Sequence, residues 1–152
     1  MLRSLVIGAA LGLCAAAAQA QTVIDCNGWQ GSARNIAEPW ETNTTTFANG
    51  AIRVALLDTV EPAAGAFYLL IIHPPYDELG TPDCGIVGLD EGMGFANMDF
   101  GALSAAYDPA TGLTLRVGVE MFAAATGGFD PAILAVTVNQ STGDLTPRFE
   151  IP

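Results

Sequence analysis

A chain of 152 residues, slightly over half of them apolar, is long enough for one domain with a sizeable core and too apolar to be disordered. It carries 16 acidic side chains against 5 basic ones, with no lysine and a net charge of −11. A surface of that sign argues against nucleic acid and anionic lipid as partners, and without lysine there is no Schiff-base chemistry and no lysine base.

The chain opens with Arg3, an apolar run from Leu5 to Ala18, and then Ala18-Gln19-Ala20, which puts small residues at the two positions a signal peptidase reads. This order predicts a cleavable secretory signal over Met1–Ala20. The apolar run is shorter than the roughly 20 residues a spanning helix needs. Cys14 follows Leu13 rather than the small residue that a lipidation site wants. The expected mature product is a single β-rich domain over residues 21–152, periplasmic or secreted and not inserted in the membrane. Loss of Arg3 leaves four arginines against sixteen carboxylates, a net charge of −12. In an oxidising compartment the two remaining thiols, Cys26 and Cys84, are expected to form a structural disulfide, worth about 4 kcal/mol in the chain-entropy account.

Next to Cys26, a segment bounded by Trp29 and Trp40 reads as an N-terminal arm with a short helix over 31–37. Its indoles either grip a sugar or peptide or, as the simpler reading, pin the arm over an open edge or core end. Strands are expected over 43–48 and 51–58, joined at Asn49-Gly50, the strongest short-range hairpin signal in the chain. The strand over 65–73 is apolar throughout from Ala66 to Ile72, as a central strand covered on both faces would be. It is expected to end at His73, where Pro74 and Pro75 forbid further pairing. Further strands are placed over 84–89 and 97–107, with a helical turn over Gly101–Ala106 as the competing reading of the second.

The clearest alternation follows. Leu113, Leu115, Val117, Val119 and Met121 oppose Thr114, Arg116, Gly118 and Glu120, which is the period of a half-buried antiparallel strand. The same period recurs over 132–139, with Leu134, Val136 and Val138, and over 144–151, with Leu145, Phe149 and Ile151. The loops Tyr107–Leu113 and Gln140–Asp144 share a Thr-Gly device suited to tight hairpins. About seven or eight short strands with such turns predict an all-β antiparallel domain, a sandwich or small barrel.

No motif names a reaction. Ser32, Ser104 and Ser141 lie outside Gly-x-Ser-x-Gly and Ser-x-x-Lys contexts. One histidine and two paired thiols leave no zinc set. No catalytic residue is assigned. His73 with Asp77 is the one polar pair that could act as base and orienting partner, and a simple strand end explains it more economically. If the strands formed a simple meander, one end would gather Glu61, Asp90, Glu91 and Asp130 with Phe95 and Phe129. Such loops could take calcium or a basic protein partner. Calcium wants six to eight oxygen ligands and the stretch Asp90–Phe95 is not an EF-hand loop, so solvated loop charges are the simpler account. No other cofactor is expected. The functional expectation is a non-catalytic exported binding or envelope accessory domain. Its alternatives are an inhibitor of a basic secreted hydrolase, such as a lysozyme, and a carboxylate-based hydrolase.

Overall fold

Alternating apolar positions decide the architecture, because strands of this period bury one face and must meet another sheet to do so. A computed structural model of the protein describes residues 21–150. Among them nine strands form two antiparallel sheets. The first has the order β1 (Thr22–Asp25), β5 (Pro82–Gly88), β4 (Phe67–Tyr76), β3 (Ile52–Asp58), β2 (Thr44–Phe47). The second is a four-stranded meander of β6 (Asn97–Asp108), β7 (Gly112–Ala123), β8 (Gly128–Val138) and β9 (Leu145–Glu150). Their facing sides share one core, with Ile52, Val54, Leu69, Ile71 and Val87 from the first sheet against Leu115, Val117, Leu134 and Val136 from the second. The fold is therefore a sandwich rather than a barrel.

The Asn49-Gly50 hairpin forms as expected, pairing Phe47 with Ile52. Its turn residues Ala48, Asn49 and Gly50 have φ of 52°, 56° and 88°, left-handed values that Asn and Gly tolerate well. The apolar stretch Ala66–Ile72 becomes most of β4, the middle strand of its sheet. Its outer face is covered too: Leu57, Tyr68 and Ile86 form a small second core beneath Ile24, Cys26, Ile36 and Leu70.

The cover over that face is the N-terminal arm, which folds as two 3₁₀ turns, Trp29–Gly31 and Ala33–Asn35. Cys26 and Cys84 are joined, with Cα atoms 5.9 Å apart, tying the start of the arm to β5. Buried Gln30 donates through Nε2 to the Glu91 carbonyl at 2.9 Å, and Ala37 N–H donates to Leu56 O at 2.9 Å. Gly31 is needed here because a Cβ would overlap the Cys26 carbonyl.

Three expectations need correction. No strand is expected before residue 43 and about seven or eight in all, yet Thr22–Asp25 pairs with β5 from Thr22↔Gly88 to Asp25↔Gly85 and makes nine. The strands do not follow one simple meander, since the chain crosses between sheets after β5 and β1 returns to its outer side. Pro74 and Pro75 interrupt the β4–β5 ladder without ending it: the register shifts after His73 and pairing resumes at Tyr76↔Pro82. The strand expected over 97–107 is present as β6, not the competing helical turn, with the β6–β7 register irregular between Asp99 and Ser104. The expected signal Met1–Ala20 and the alternating Ile151 lie outside the described residues. Among the described residues no helix is long and apolar enough to cross a membrane.

Candidate functional site

The second sheet buries its odd-numbered β7 side chains and turns the even ones outward, so its outer face can be read row by row from the register. One row runs Ser104, Arg116, Ala135, Arg148 across all four strands. The next runs Ala106, Thr114, Thr137, Thr146, and a third runs Asp99, Gly118, Ile133, Glu150. The small Ala135 lies between the two arginines and is nevertheless fully buried, because long arginine stems lie over small neighbours while their heads stay wet.

These rows are tied into one network. Glu150 accepts from Arg116 Nε at 3.0 Å and from Arg148 Nη2 at 2.8 Å. Arg148 Nη1 donates to Thr137 Oγ1 at 3.2 Å, and the Thr137 and Thr114 hydroxyls are 2.9 Å apart. The Arg116 guanidinium, with Arg148 behind it, holds the Glu150 carboxyl below the usual glutamate range. An open trough of ≈ 760 Å³ lies over Thr114, Arg116, Thr137 and Arg148, flanked by Asp108 and Asp144. A second hollow of ≈ 610 Å³ opens over Gly118, which has no side chain, between Asp99 and Ile133. Beyond it, on the same face, the exposed cross-strand pair Phe122 and Phe129 meets edge to face with centroids 6.0 Å apart.

The residues singled out from the sequence are distributed differently. His73 is buried within β4, just before the register shift, its Nδ1 2.7 Å from Pro74 O. Asp77 spends its carboxylate on the N–H groups of Leu79, at 2.9 Å, and Thr81, at 2.7 Å. Those bonds, Thr81 first, hold its pKa below the ordinary value. Each of the two thus has a local partner in place of the other. The loops bearing Glu61 and Asp90-Glu91 do meet: Gly94 N–H donates to Gly65 O at 2.7 Å. Asp90 accepts the Gly92 N–H at 2.8 Å, closing its own turn. Phe95 is not on the loop surface; it is fully buried, paired with Phe67 through the backbone and packed edge-to-face on Phe149 at 6.2 Å. Phe129 and Asp130 belong to β8, opposite Phe122 and Met121. Among the described residues no group of three or more histidine, cysteine, aspartate or glutamate side chains is placed to hold a metal ion.

The network of Arg116, Arg148, Glu150, Thr114 and Thr137 was not singled out from the sequence, where these residues read as the wet side of strands. No protein-family model matches the chain, and no curated protein and no solved structure matches it significantly.

Proposed function

We propose that the chain is an exported, non-catalytic binding domain whose outer second-sheet face seats an extended, hydroxyl-rich ligand such as a saccharide chain. The observation that carries this reading is the fixed array of Arg116, Glu150, Arg148, Thr137 and Thr114 along an open trough. Groups already held by their neighbours lose little freedom when a ligand arrives, so their hydrogen bonds are not offset by ordering costs. A polyol presents donors and acceptors side by side, matching hydroxyls and guanidinium N–H groups that alternate with a carboxylate. The apolar C–H faces of sugar rings suit the exposed Phe122 and Phe129 pair at the far end. An open trough suits holding a polymer, whereas catalysis favours a site that excludes water. Export rests on the Met1–Ala20 pattern, and the Cys26–Cys84 bridge is compatible with it.

Titration calorimetry of the exported protein against soluble neutral and acidic polysaccharides tests the reading. We expect saturable heat with at least one of them, weakened tenfold or more in Arg116→Gln/Arg148→Gln with little change in melting temperature. No saturable heat in any titration, or equal binding by the double variant, rejects it. A second reading, inhibition of a basic hydrolase, draws on the exposed Glu61, Asp90 and Glu91 in adjoining loops. Salt-sensitive inhibition of a lysozyme would favour it.

A further inference from the structure

The four edge strands of the sandwich are not alike. β1 and β2 have four residues each, and β9 carries Pro147, Arg148 and Glu150, the kinds of residue that blunt an edge. β6 has twelve residues, and from Gly101 to Tyr107 it contains no charge and no proline. Apart from the register irregularity between Asp99 and Ser104, its outward side therefore presents backbone N–H and C=O groups with no charge or proline to blunt strand addition.

The inner side of β6 is open as well. Ala105 and Tyr107 stand opposite Leu115 and Leu113 in the ladder, so all four face between the sheets. Leu115 is 1% and Leu113 7% exposed, yet Ala105 is exposed and Tyr107 is 65% exposed. The first sheet touches β6 through β4, and Met98 and Phe100 near the start of β6 are buried in the shared core, but the stretch beyond Leu103 is exposed. The helical turn Trp40–Asn43 also contacts β6. Trp40 itself is half exposed. Side chains from one more strand would enter this gap beside Leu103, Ala105 and Tyr107 and complete the interior.

We propose that β6 accepts an extended segment of a basic partner protein as a fifth strand of the second sheet. Main-chain hydrogen bonds to β6 would supply affinity, and alternate side chains filling the gap would supply selectivity. Charge decides between occupants. The uncharged stretch of β6 is bracketed by Asp99 and Asp108. A second copy would bring a like charge of −12 to this edge, while a strand with lysine or arginine near both ends would meet a carboxylate at each. The inference differs from the saccharide reading in using the backbone edge and inner side of β6, though it shares with that reading Tyr107 and Asp108, which also line the trough.

The probe is a ten-residue peptide alternating valine and threonine with two lysines at each end, against a counterpart with glutamates in their place. Amide hydrogen exchange is followed on the exported protein. The lysine peptide should slow exchange over Gly101–Asp108 at least tenfold, the glutamate peptide should not, and added salt should weaken the effect. Ala105→Arg, which fills an inward position that is exposed in the free protein, should abolish the protection. Leu79→Arg, which adds the same charge on a remote exposed loop, should keep it. Protection by both peptides alike, protection only outside β6, or none at all overturns the proposal. So does self-association that protects β6 before any peptide is added, since the occupant is then a second copy.

Discussion

Tyr68 offers a test whose sign is unusual. The side chain is fully buried, and its hydroxyl has no well-formed hydrogen bond among the described residues, the Gly94 backbone acting on it only weakly. The backbones of Gly88 and Gly94 press on the ring, each so close that a Cβ there would come within 2.8 Å of it, so the phenol has no room to turn toward water. Burying an unpaired hydroxyl costs about 1–3 kcal/mol. Tyr68→Phe removes that penalty and leaves a void the size of one oxygen, worth roughly 0.3 kcal/mol against the variant. The variant should therefore be more stable than the natural chain by about 1 kcal/mol or more, with an unchanged denaturant slope in urea and a melting temperature raised by about 3 °C. The pH dependence is a second readout. Burial first, and the nearby Asp90 charge next, push the phenol above its ordinary value of 10.0. Above that pH the unfolded chain loses the proton while the folded chain keeps it. The natural chain's stability should then fall as pH rises through and beyond 10, and Tyr68→Phe should lack that part of the fall. A variant destabilised by 1 kcal/mol or more would mean that the hydroxyl is hydrogen-bonded after all, and the argument from its isolation would fail.

Three further outcomes follow from the arm and the outer face. Cys26→Ala/Cys84→Ala should lose up to about 4 kcal/mol, and hydrogen exchange should show the loss beginning in the arm over Trp29–Ala37. Gly31→Ala should cost about 1–3 kcal/mol in urea unfolding, since the new methyl meets the Cys26 carbonyl rather than a flexible side chain that can give way. Glu150 has its carboxyl held below the ordinary value of 4.5 by Arg116 and Arg148. Stability from this group is present above 4.5 and lost as pH falls through the lower folded-state value, so Glu150→Gln should flatten that acid limb in pH-dependent melting and leave the alkaline limb unchanged.

Much of the fold was legible because burial and period coincide. The alternation from Leu113 to Met121 marks β7, and the unbroken apolar run after Ala66 marks a central strand covered on both sides. What stayed hidden depended on distant pairing. Thr22–Asp25 is too short to declare itself and becomes a strand only because β5 offers an edge and the disulfide holds the chain there. Phe95 follows Gly92-Met93-Gly94 and looks like loop. It is drawn inward because the side-chain-free Gly94 lets the backbone of Phe67 approach and pair with it. The Arg116–Glu150–Arg148 network needed strand register. The turn between Asn139 and Asp144 contains that register, since counting outward from Val138↔Leu145 brings Ala135 opposite Arg148. A face-by-face reading of the two Thr-Gly hairpins would have brought the arginines together.

The acidity that first draws attention has a local explanation. Asp25, Asp58, Asp77, Asp90 and Asp108 each accept the N–H of the residue two places on, so these carboxylates build turns in a protein made of short strands. Turn building thus accounts for these five residues whatever partner Asp90 and Asp108 also meet. The scarce arginines are more informative. Of the four expected to remain after export, two converge on one carboxylate on an exposed sheet face. A surface ion pair of this kind adds little stability, and holding two long side chains in one geometry costs rotamer freedom. Folding alone therefore gives a weak reason for ordering Arg116, Glu150 and Arg148 over the small Ala135. Recognition gives a stronger one, because an ordered set of donors on an open face has value chiefly to what binds there. The same sheet carries the uncharged β6 edge, so both proposed binding surfaces belong to the second sheet, while the disulfide-pinned arm covers Leu57, Tyr68 and Ile86 on the outer face of the first.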